Sequence, residues 1–81
     1  MSPTQCRAAR GLLDWTQDGL ASKARVGLST VKDFEAGRRE PRAASMESMR
    51  RALERGGVEF IEAGETSEGA GSGVRLRKGK G

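Results

Sequence analysis

The sequence predicts a mainly α domain: four short helices in a compact arrangement, then a short C-terminal β-hairpin or dimerisation strand. Three observations lead there. Helix-starting residues recur ahead of segments whose apolar residues fall three and four positions apart. Glycines or polar breaks soon close those segments. After Gly57 the apolar period changes from helical toward two. A chain of 81 residues holds one such domain with a modest core.

The first helix starts in "SPTQCRAARGLL", where Ser2 is a cap, Pro3 takes the first helical position and Gln5 closes a capping box. On a helical wheel Cys6, Ala9 and Leu13 share a face, and Arg10 lies on that same face, where a charge needs a partner. In "DWTQDGLASKA", Thr16 is the second cap, and Leu20, Ala21 and Ala24 form a narrow stripe that lets another helix approach closely. The third helix is expected from Leu28 to Ala36, started by the Gly27 backbone. "EPRAASMESMRRALERGG" holds the fourth, capped by Ser45, with Met46, Met49 and Leu53 as its stripe and Gly56 and Gly57 as its stop. "VEFIE" and "GVRLRK" read as short strands joined by a polar, Gly-rich and mobile connector. These boundaries give a helical domain over 1–57, a β extension over 58–78 and a frayed tail over 79–81.

Lysine and arginine number 15 against 11 aspartates and glutamates, for a net charge of +4. That balance favours a polyanionic partner without specifying one. One cysteine, Cys6, excludes an intrachain disulfide, and with no histidine a single chain has no zinc-binding set. No nucleophile stands beside a base and no Gly-rich phosphate loop precedes a helix, so neither an enzyme nor a cofactor is expected. Cys6 lies on an apolar face and reads as core. No apolar run reaches the length of a membrane span or signal-peptide core, and the expected location is cytoplasmic.

The third helix has two faces. Thr30, Val31 and Phe34 gather on one, a core face anchored by Phe34. Leu28, Ser29, Lys32, Asp33 and Ala36 gather on the other, with Leu28 exposed. Such a face suits base edges: Ser and Lys donate to purine acceptors, Asp accepts from cytosine N4, and Leu touches a thymine methyl. A plain solvated face contains the same residue types, so the neighbours matter. The preceding helix and its tight connection make a helix-turn-helix spacing. Thr16 and Gln17 sit at a helix N-terminus, where free amides favour a phosphate. "GRREPR" puts Arg38, Arg39 and Arg42 just beyond the third helix, placed for a phosphate backbone.

The stretch "WTQDGLASKARVGLSTVKDFEAGRREP" resembles the helix-turn-helix of the Cro/CI-type repressors, the xenobiotic-response-element-like family of bacterial and phage regulators. That family's pattern, T-Q-x-x-L-A, then G-V-S-x-x-T-I, then E-x-G, is met by Thr16, Gln17, Leu20, Ala21, Val26, Thr30, Val31, Glu35 and Gly37. The likeness covers about residues 3–55. Two positions depart from it. Arg25 replaces the usual turn glycine and is expected to take a left-handed or otherwise adjusted backbone, and Gly27 replaces the usual serine cap.

The resemblance implies roles. Leu28, Ser29 and Asp33 match base-reading positions, and Lys32 reads a base or a phosphate. Thr16 and Gln17 match phosphate anchors, and Arg38, Arg39 and Arg42 fall where the family's loop follows the backbone. It also implies a largely buried Arg10–Glu35 ion pair, with a phosphate contact as the competing role for Arg10. The expected protein is a dimeric regulator on an inverted-repeat, double-stranded operator, of repressor or controller type. For the dimer, the tail resembles lambda Cro: strands pair across a two-fold axis and Phe60, Val74 and Leu76 fill a joint core. The other arrangement is an intrachain hairpin, with dimerisation through Met46, Met49, Arg50 and Leu53 of the fourth helix. The basic end "VRLRKGKG" reads as a solvated tail. A different class of function, an antitoxin or adaptor holding a protein partner with the same fold, remains open.

Overall fold

Four helices and a two-stranded antiparallel sheet follow one another in the computed structural model, which describes residues 1–62 and 72–77. Most of the expected mobile connector, and the tail from 78 onward, lie outside the described residues. The helices are α1 (Pro3–Leu13), α2 (Gln17–Ala24), α3 (Leu28–Glu35) and α4 (Ala43–Gly56); the strands are β1 (Val58–Ile61) and β2 (Gly73–Leu76).

The caps set the boundaries. The Ser2 hydroxyl accepts from the Gln5 amide at 3.0 Å while the Gln5 side chain accepts from the Ser2 amide at 2.8 Å, completing the box. Thr16 Oγ1 accepts from the Gly19 amide at 2.9 Å. Asp14 and Arg25 both adopt left-handed backbone, φ 60° and 59°, and end α1 and α2. At α3, Gly27 provides no side-chain cap. The start of α4 differs from expectation. The helix begins at Ala43, after Arg42 and without a side-chain cap, so Ser45 lies inside the first turn. Ala43 and Ala44 have the highest helix propensity, and they extend the helix back to Ala43, past the residue that capping preference alone selects.

Phe34, Leu20, Met49, Leu53, Val31, Val58 and Cys6 are fully buried and form one core, with Ala9, Ala21, Ala24 and Ala52 where helices approach. The sheet is an intrachain hairpin pairing Val58 with Leu76 and Phe60 with Val74. Phe60 and Val74 are half-buried against the chain's own core, while Leu76 is 52% exposed. Arg50 stacks 4.9 Å from the Phe60 ring, tying α4 to the hairpin. The tail is not simply solvated. Arg75 pairs with Glu59 at 2.8 Å, and Arg77 donates to the Glu54 carbonyl at the end of α4 at 2.7 Å.

Gln5 is buried, and its amide nitrogen reaches the carbonyls of Gly73 (3.0 Å) and Ile61 (3.3 Å). One side chain thus caps α1 and clamps the open end of the hairpin to it. At the other end of the core, a Cβ on Gly56 would lie 2.8 Å from both Leu13 Cδ1 and Trp15 Cζ2. Gly56→Ala is therefore expected to destabilise by about 1 kcal/mol despite alanine's helix propensity, because the crowded indole must move. Chemical denaturation followed by Trp15 fluorescence measures both effects.

Candidate nucleic-acid interface

The candidate interface centres on α3. Val31 and Phe34 anchor it in the core, which turns Ser29 and Lys32 outward to solvent. Thr30 and Asp33 are half-exposed at the margin. Leu28 differs from expectation: it is half-buried and packs on the core. It occupies the first helical position, and helical side chains lean toward the N-terminus, here back over the connection from α2.

Gly37, at φ 74°, reverses the chain after α3, and the Arg38 amide donates to the Asp33 carbonyl at 2.9 Å. The following loop runs beside α3 and leaves a cleft of about 500 Å³ lined by Ser29, Thr30, Asp33, Arg39, Glu40, Pro41, Arg42 and Ser45. Arg39 and Arg42 are exposed on its rim. Arg38 points back to α3, its Nε 3.4 Å from Asp33 Oδ1. The cleft thus offers hydroxyls, two carboxylates (Asp33 and Glu40) and guanidinium groups along one side of an outward helix.

Glu35 is the hub behind this face. Its side chain is 2% exposed and accepts from Arg10 Nε and Nη2 (both 2.8 Å), Gln17 Nε2 (3.0 Å) and Cys6 Sγ (3.1 Å). Arg10 also donates to the Trp15 carbonyl at 3.0 Å, and Arg7 donates to the Glu35 carbonyl, closing the end of α3. Burial alone would raise the Glu35 carboxyl. The hydrogen bonds from Arg10, Cys6 and Gln17, with the Arg10 charge, outweigh it and hold the carboxyl below the ordinary glutamate range. Burial and the facing carboxylate push the Cys6 thiol far above the ordinary cysteine range, so it stays protonated and unreactive. The hub joins α1, α2 and α3, and fixes the angle at which α3 is presented.

The arrangement of α2, a tight left-handed turn at Arg25, and an outward α3 is that of a helix-turn-helix. A family model described as helix-turn-helix (HTH_3) matches residues 7–60, more than half of the chain. The chain belongs to this family. The match supports a Cro/CI-type, xenobiotic-response-element-like helix-turn-helix domain, and hence a DNA-binding transcription regulator. No curated protein matches the chain. No described helix of this helix-turn-helix protein is long and apolar enough to cross a membrane.

Of the residues singled out in the sequence, the structure brings Ser29, Asp33, Arg39 and Arg42 to one cleft and leaves Lys32 exposed on the same helix as Ser29 and Asp33. Thr16 stands at the exposed start of α2, while the Gln17 side chain turns inward to Glu35. The hairpin clamp made by Gln5, the contact of Arg7 with α3 and the Asp33–Arg38 pair are not legible in the sequence. Each depends on which distant segment folds beside it, and only the short Asp33–Arg38 separation carries any local signal.

Proposed function

We propose that this helix-turn-helix protein binds double-stranded DNA sequence-specifically as a homodimer and acts as a repressor or autoregulator, with α3 in the major groove. One observation carries the reading: a core-anchored helix presents Ser29, Lys32 and Asp33 beside a cleft rimmed by the exposed Arg39 and Arg42. Ser29, Lys32 and Asp33 have the hydrogen-bonding groups to read base edges, with Leu28 reaching a methyl at the helix start. Thr16, the first-turn amide of Gln17, Arg39 and Arg42 hold the backbone on either side. Met49 and Leu53 are consumed by the chain's own core, which removes them from an inter-chain face. The outer edges of the hairpin and the exposed Leu76 are the better dimer surface.

Selection of random duplex DNA by the purified protein at near-physiological salt is expected to enrich an inverted repeat with half-sites about one helical turn apart. Asp33→Ala should relax the preference at one base position per half-site, by a factor corresponding to about 1–3 kcal/mol. Enrichment of nothing above a salt-sensitive background would reject the reading and favour a protein-binding role.

A further inference from the structure

Four cationic residues surround the proposed reading face: Lys32, Arg38, Arg39 and Arg42. Of these four, Arg38 alone forms an ion pair among the described residues, and its partner is Asp33. We infer that Arg38 is a specificity-positioning residue that acts on base choice through Asp33. In this it differs from Arg39 and Arg42, which have no carboxylate partner among the described residues and are assigned to the DNA backbone. The inference rests on the proposed role of Asp33 in reading a base.

The reason lies in the charge of the groove. A carboxylate entering it approaches two rows of phosphates, and like charges oppose that approach. One hydrogen bond from cytosine N4 is a small return for it. A guanidinium 3.4 Å from Oδ1 offsets the repulsion on that side of the carboxylate, leaving Oδ2 to accept from the base. The backbone supports this geometry. The left-handed Gly37 and the bond from the Arg38 amide to the Asp33 carbonyl return Arg38 over the last turn of α3. The Asp33 side chain is 33% exposed and Arg38 69%, so the pair is reachable by a ligand and contributes little to folding.

The test is binding of Arg38→Ala, Arg39→Ala, Asp33→Ala and the Arg38/Asp33 double variant to the selected operator and to its single-base variants, with melting curves for each. Arg38→Ala should lower discrimination about 5–10-fold at the base position that Asp33→Ala relaxes, and leave other positions and the melting temperature unchanged. Arg38→Lys should restore part of it. In the Asp33→Ala background, Arg38→Ala should produce no further change in base preference. Arg39→Ala should weaken all sequences by the same factor. If Arg38→Ala weakens every variant equally, or changes a position other than that of Asp33, the inference is overturned while the Asp33 reading stands. If Asp33→Ala leaves base preference untouched, the base-reading role of Asp33 falls and this inference with it.

Discussion

Replacing Glu35 with alanine is expected to lower the unfolding free energy by about 3–5 kcal/mol. The carboxylate is almost wholly buried and receives four hydrogen bonds from three side chains, two of them from Arg10. Its removal leaves a guanidinium that is only 19% exposed without its counter-charge, and leaves the Gln17 amide unpaired at the same place. At roughly 4–8 °C per kcal/mol for a domain of this size, the melting temperature should fall by well over 10 °C. A loss below about 1 kcal/mol, the size of an exposed pair, would mean that the hub is dispensable. The pH dependence separates charge from shape. The folded Glu35 pKa is depressed, so its contribution is complete above the unfolded value, about 4.3, and is lost as pH falls through the folded one. Glu35→Gln, which keeps the shape, should therefore lose part of the stability at neutral pH and remove that acid-side slope.

Raising the salt concentration from about 50 to about 200 mM is expected to weaken operator binding about 10²–10³-fold, on the basis of about four to six phosphate contacts in the proposed dimer and a log–log slope near −0.9 per contact. Those contacts are assigned to Arg39 and Arg42 of each copy, with Lys32 where it meets the backbone rather than a base. Arg39→Ala, present in both copies, should flatten the slope by about two. A slope near zero would remove the basic loop from the DNA backbone altogether. Titrations at several salt concentrations, on operator and on unrelated duplex, decide the matter.

The sequence was most legible where the physics is local. Ser2 with Gln5, and Thr16, declare helix starts because each hydroxyl satisfies an amide three residues on. Arg25 takes its left-handed backbone at a position where glycine is usual. Capping preference selects Ser45, but the two alanines ahead of it start the helix sooner, at Ala43. Leu28 misled because a helical wheel gives an angle around the axis and ignores the lean of the side chain along it. Arg10 announced that it needed a partner, and the structure pairs it with Glu35, but Cys6 and Gln17 converge there only through the packing of three helices. The second task of Gln5 left no trace, since its partners lie 56 and 68 residues away.

That clamp bears on how the chain folds during synthesis. Helix α1 is made before the strands, yet the carbonyls that its glutamine amide needs belong to Ile61 and Gly73, 56 and 68 residues further on. Until β2 has cleared the ribosome, α1 has a buried amide without acceptors, and its side of the core lacks Val58 and the cover of Val74. Contacts of such sequence separation bear the entropy of closing a long loop before they contribute anything. The helices can condense during translation, but the final docking of α1 waits for β2. The angle at which α3 is presented, fixed from α1 through Arg10, is therefore settled only after β2 has been made.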